Sequence, residues 1–222
     1  MNPFFCSIVF VSGLIMLFGD DNLCAVVLMS TTFAFFIGQN KESWKNLPFF
    51  GVANIITTIR LMLVLMLASG EILLSDANLS ILVLIIPLLD VMDGLVARYR
   101  KEESQFGMFY DMEVDALFVM VASIIIYLNH PNMWIVLIPA FLRYFYKFFL
   151  AILDSRDRFI ESKQKYASVI AGNYFVALII FYVINHELSK WYLSLSSVLI
   201  IASFVKSIVA FVKWKGADDI SC

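Results

Sequence analysis

Apolar stretches that approach the thickness of a bilayer recur along the whole chain, and no other feature constrains the fold as strongly. A helix needs about 20 apolar residues, within a range of roughly 17–25, to cross the hydrocarbon core. Eight stretches come near that rule: residues 3–18, 23–38, 52–74, 79–99, 108–128, 133–153, 165–184 and 192–214. Lipid offers a backbone no water to bond to, so such segments must satisfy their own N–H and C=O groups, as a helix does. The expected fold is all-α: a polytopic transmembrane helical bundle of about eight spans. The chain is 61% hydrophobic and 15% charged. Soluble domains run at about 45–50% and 25%, so no room is left for a separate soluble domain.

The breaks between the stretches are polar. Gly19-Asp20-Asp21-Asn22 reads as a tight hairpin turn. Residues 39–49, with Lys41, Trp44 and Lys45, suit either an interfacial segment or an ordinary polar loop. Residues 154–164 form the most charged loop. The first 40 residues carry no Lys or Arg. A secretory signal needs a basic start, so residues 1–18 read as a retained span. Cys6, Cys24 and Cys222 are too few and too scattered for a disulfide framework. The two inside apolar stretches read as buried thiols. The net charge of −2 says nothing about nucleic acid, and no basic run suits it as a partner, so none is expected.

With eight spans, alternate breaks lie on one side of the membrane. One side collects Lys41, Lys45, Arg98, Arg100, Lys101, Arg156, Arg158, Lys163, Lys165, Lys213 and Lys215. The other has Lys190 alone, among Asp20, Asp21, Asp76 and Glu187. The positive-inside rule puts the first side, with both termini, in the cytoplasm. In a bacterium that makes the protein a multi-pass inner-membrane protein.

Residues 90–115 read DVMDGLVARYRKEESQFGMFYDMEVD. Helical geometry puts positions i, i+3 and i+4 on one face. Asp90 and Asp93 therefore share a face, as do Asp111 and Asp115. Two helices joined by the short loop at 100–106 would bring these four carboxylates together, on the cytoplasmic side. Clustered carboxylates at a membrane edge repel one another and lose solvation, so they need a neutralising cation. Hard oxygen donors suit Mg²⁺ or Mn²⁺. Gly94 and Gly107 remove side-chain bulk, so that something can approach the backbone closely, and Ala97 continues the first acidic face with a small side chain.

The same stretch resembles the signature of the CDP-alcohol phosphatidyltransferase family, D-x2-D-G-x2-A-R-x8-G-x3-D-x3-D. Asp90, Asp93, Gly94, Ala97, Arg98, Gly107, Asp111 and Asp115 match every fixed position. A weaker resemblance in hydropathy runs over residues 54–213. NIITTIR at 54–60 looks like the family's Pro-Asn-x-x-Thr-x-x-Arg opening, with Ala53 in place of the proline. There Asn54 could cap a helix or serve a phosphate at the helix start, and Arg60 could snorkel or serve the site. The resemblance implies a six-helix catalytic core within residues 51–222, preceded by two extra spans and the interfacial segment within 1–50. It also implies a homodimer.

The family's reaction passes a phosphatidyl group from a CDP-linked lipid donor, usually CDP-diacylglycerol, to a small alcohol acceptor, with release of CMP. The resemblance implies two Mg²⁺ or Mn²⁺ ions on Asp90, Asp93, Asp111 and Asp115, with Asp115 also the general base. It implies a nucleotide and diphosphate pocket made by Gly94, Ala97, Arg98, Ser104 and Gly107, with Asn54 and Thr57. Two other activities compete with this reading. One is transfer from a CDP-amino-alcohol to diacylglycerol, and the other is a small membrane transporter whose acids line a path.

The acceptor is not evident from the residues. Arg143 and Lys147 lie four apart on one helical face, where they could snorkel or, with Arg156 and Arg158, hold a phosphorylated acceptor. Glu113 stands two residues from both Asp111 and Asp115, so on a helix it points away from them. It could meet a partner chain, a neighbouring helix or the headgroup region.

Overall fold

The computed structural model describes residues 3–19, 22–44, 50–70, 76–152, 165–184 and 186–218. Among them there is no strand. The helices are α1 (Pro3–Phe18), α2 (Asn22–Gln39), α3 (Lys41–Trp44), α4 (Val52–Ser69), α5 (Asp76–Arg100), α6 (Gln105–Asn129), α7 (Leu137–Ile152), α8 (Lys165–Ile184) and α9 (Glu187–Asp218). A 3₁₀ turn, Pro131–Val136, joins α6 to α7. Four helical segments are long and apolar enough to cross a membrane: Asn22–Gln39, Val52–Ser69, Asn78–Arg100 and Glu187–Val209. Phe4–Phe18 and Val169–Ile184 are shorter apolar helices.

Where boundaries depart from expectation, a local cause is visible. The third stretch is helical only to Ser69, because Gly70 takes a left-handed conformation (φ 64°) and stops α4. Helix α6 starts three residues before the apolar run, where the Ser104 hydroxyl accepts a 3.0 Å bond from the Gly107 N–H. Helix α9 starts at Glu187 rather than near 192. Its first turn is tied by the His186 ring, which accepts from Leu188 N–H, and by the Ser189 hydroxyl, which accepts from His186 N–H. The expected interfacial segment is described only to residue 44. There Trp44 folds back and donates its indole N–H to the Ile37 carbonyl. The loop at 154–164, with Arg156 and Arg158, lies outside the described residues. Of the two thiols read as buried, Cys6 is buried and Cys24 is exposed, because position 24 falls on the outer face of α2.

Helix α6 is the centre of the bundle. Val114, Leu117, Phe118, Met120, Val121 and Ile124 are all fully buried. The neighbours around α6 include α1, α4, α7 and α8. Helix α1 lies across α6 and α7, and α2 lies against α4. Gly13 makes the first of these contacts possible: a Cβ there would sit 2.6 Å from Met120 Sδ and 2.8 Å from a ring carbon of Phe141.

One tight turn positions the site. Helix α5 ends with Lys101 left-handed (φ 55°) and the Glu102 N–H bonded back to the Ala97 carbonyl at 2.9 Å. This turn reverses the chain within a few residues, and α4 packs against both α5 and α6, so the acids of the two helices meet at α4. It also aims the Glu102 carboxylate at the start of α4, where it accepts from the Val52 N–H (2.7 Å) and the Ala53 N–H (3.4 Å). Gly51, the residue preceding α4, supplies no side-chain cap, so a carboxylate from another helix pair does that work.

Candidate active site

Three helices converge on one guanidinium. Arg60 of α4 is completely buried. Its Nη1 lies 2.9 Å from Asp90, 2.9 Å from Asp93 and 2.5 Å from Asp111, and its Nη2 meets Asp115. The four signature carboxylates therefore surround a single point. Thr57, one turn earlier on α4, donates a 2.9 Å hydrogen bond to the same Asp93 oxygen that receives Arg60. Arg60 does not snorkel. Its charge faces inward because only the carboxylates compensate it at that depth.

This geometry is a test of whether a divalent ion fits. One oxygen each from Asp90, Asp93 and Asp111 lie within 4.8 Å of one another, and all are hard donors of the kind that Mg²⁺ and Mn²⁺ take. Arg60 Nη1 shows that the three already converge on a positive charge. Asp90, Asp111 and Asp115 keep 32%, 35% and 33% of their side chains exposed, so an ion could reach them. The donor set fits. Asp115 stands apart from that group of three, on the other nitrogen of the guanidinium.

Cavities lie on both sides of the cluster. The first, of about 550 Å³, reaches Asp93 and Asp111. Every residue expected of the nucleotide pocket lines it: Asn54, Thr57, Gly94, Ala97, Arg98, Ser104 and Gly107. Gly94 leaves open space, since a Cβ there would come no nearer than 3.9 Å to anything, and that neighbour is the Arg98 guanidinium. Gly107 is different: its Cβ would lie 3.0 Å from Asn54 Oδ1 and 3.1 Å from Ser104 Oγ, so its absence lets α6 close on α4. Arg98 is exposed, with its Nε–H bonded to the Gly94 carbonyl at 3.0 Å.

Asn54 does not cap α4. It lies inside the first turn and donates its amide to the Phe50 carbonyl at 2.8 Å, while Glu102 takes the capping role. The N–H of Ala53 joins that cap, a contact that the proline of the family motif could not make.

The second cavity, of about 560 Å³, is lined by Asp90, Asp115 and Arg143. Its remaining walls are mostly apolar, from Met112, Val119, Phe175 and Phe204 among others. Arg143 Nη2 is bonded to Glu113 at 2.8 Å, and Lys147 Nζ meets the same carboxylate oxygen. Lys147 does not line the cavity.

The fold and site together define a bundle of apolar helices whose acids gather at one point beside two cavities. Residues 50–209 match the family model described as CDP-alcohol phosphatidyltransferase, and the chain belongs to that family. None of the curated proteins and none of the solved structures matches it. Membership implies phosphatidyl transfer in lipid synthesis by an integral membrane protein, with a CDP-linked lipid donor, an alcohol acceptor and a divalent metal.

Proposed function

We propose that the protein transfers a phosphatidyl group from CDP-diacylglycerol to an alcohol and releases CMP, at the cytoplasmic face of an eight-span bundle. The observation that carries this reading is the convergence of Asp90, Asp93, Asp111 and Asp115 on one cationic point between two cavities.

The first cavity suits the cytidine diphosphate. The start of α6 opens into it, and helix N-termini favour phosphate. Arg98 at its rim can offer a fork to a phosphate oxygen. Gly94 leaves the backbone approachable. The second cavity suits the acceptor, whose hydroxyl would enter beside Asp115. Arg143 on the far wall, with Arg156 and Arg158 of the charged loop and with Lys147 behind it, favours an acceptor that carries a phosphate.

In the reaction the acceptor oxygen forms a bond to the β-phosphorus, and the bond from that phosphorus to the CMP oxygen breaks. Asp115 takes the hydroxyl proton, and CMP leaves through the first cavity. Two Mg²⁺ or Mn²⁺ ions on the four carboxylates would supply charge neutralisation for the diphosphate and for departing CMP. The base works by position, one helical turn from Asp111 on the same face. A homodimer would have to pair through faces other than the one that α1 and α2 cover.

The test is purified protein given labelled CDP-diacylglycerol, a panel of free and phosphorylated alcohols, and Mg²⁺, Mn²⁺ or chelator. CMP release that needs both an alcohol and a divalent ion supports the proposal. Release only from a CDP-amino-alcohol with diacylglycerol would move the chain to the sister chemistry, and no release from either donor would end the reading.

A further inference from the structure

Glu113 is the one acid of the α6 stretch that the reaction does not use, and it is wholly buried. It points away from Asp111 and Asp115 toward α7, where Oε1 accepts from both Arg143 and Lys147. Among the described residues Oε2 has no hydrogen-bond partner, and neither does the Nε–H of Arg143. A buried carboxylate left half-satisfied is costly, so its retention asks for a reason beyond packing.

Arg143 supplies the reason. It lines the second cavity together with Asp90 and Asp115. The guanidinium is therefore bonded to one carboxylate, Glu113, and shares the lining of a cavity with a second, Asp115. Attraction between such groups is strong where water is scarce, and Arg143 and Asp115 are close enough to interact electrostatically. An arginine on a long flexible arm, free of Glu113, would reach for the aspartate.

We propose that Glu113 is a positioning residue, a tether that holds the Arg143 guanidinium on the far wall of the second cavity and so keeps it off Asp115. The inference rests on the reading of Asp115 as metal ligand and base. The tether spares Asp115, already paired with Arg60, a second guanidinium that a divalent ion or the acceptor would have to displace, and it leaves the second cavity open. Lys147 shares the tether but does not line the cavity, so it is not the group being restrained.

The test is Mn²⁺ binding to the full-length protein in detergent, by titration calorimetry or electron paramagnetic resonance, with no substrate present. Glu113→Gln should weaken Mn²⁺ binding by about tenfold, the lower end of what loss of a supporting residue behind a metal ligand costs. The double variant Glu113→Gln/Arg143→Gln should recover most of that affinity, because the released guanidinium is gone. Arg143→Gln alone should bind Mn²⁺ like the wild type. Should Glu113→Gln fail to fold, Glu113→Asp, which keeps the charge on a shorter arm, should give a smaller loss that Arg143→Gln again reverses.

Equal weakness of the single and double variants would reduce Glu113 to a packing role and overturn the proposal, as would wild-type affinity in Glu113→Gln. Asp115→Asn is the control on the underlying reading. If it binds Mn²⁺ as tightly as the wild type, Asp115 is not a ligand, and the assignment of the site fails rather than the tether alone.

Discussion

The Glu102 carboxylate accepts a 2.7 Å hydrogen bond from the Val52 N–H, fastening the loop between α5 and α6 to the start of α4. Glu102→Ala should therefore loosen the first cavity rather than the cluster. The lost cap should cost about 1 kcal/mol, read as a lower thermal midpoint in detergent. The KM for the CDP-linked donor should rise more than kcat falls.

Arg60 is the positive charge shared by four carboxylates. Removing one partner of a buried ion pair costs about 3–5 kcal/mol, so Arg60→Gln should be markedly destabilised in chelator. Millimolar Mn²⁺ should restore much of the lost thermal stability, because a divalent ion satisfies the same oxygens. A variant equally unstable with and without Mn²⁺ would mean that the carboxylates need the arginine itself.

The two signature glycines should separate in their effects. Gly107→Ala puts a methyl against Asn54 and Ser104 and should cost about 1–3 kcal/mol, the range of an overpacked contact. Gly94→Ala meets open space and gains helix propensity of up to about 1 kcal/mol. Its stability should hold or rise while donor KM climbs, since the methyl projects into the first cavity. Thermal unfolding and donor titrations on the pair would check this.

Asp93→Asn and Asp115→Asn should each abolish CMP release while membrane insertion and yield stay normal. In Asp93→Asn the Thr57 and Arg60 bonds also lose their charged acceptor. Turnover within about tenfold of wild type in either variant would contradict metal-centred charge stabilisation, whose loss costs far more than that.

What could be read from sequence follows the range of the physics involved. The acids were legible because helical spacing alone puts Asp90 with Asp93 and Asp111 with Asp115. Arg60 was not decidable: one arginine in an apolar run looks the same whether it snorkels or turns inward, and its partners lie on two other helices. For Asn54 the capping alternative stayed open, because the true cap, Glu102, arrives from a distant turn whose shape depends on the left-handed Lys101. Glu113 had three open readings, and only the packing of α7 on α6 selects Arg143 and Lys147. Hydropathy likewise set helix ends too narrowly at Glu187, because it measures affinity for lipid, whereas the helix continues into polar residues as long as its first turn is tied.

The fit of Gly13 against Met120 and Phe141 bears on how much of the chain is indispensable. The matched family segment begins at residue 50, yet α1 covers one side of α6 and α7, the two helices that carry Glu113 and its partners Arg143 and Lys147. A shortened protein beginning at residue 50 would present that side to fatty acyl tails, with an ionic triad a single layer beneath. Trimming α1 and α2 should therefore be felt at the carboxylate cluster, although no residue of either helix lines the two cavities beside it.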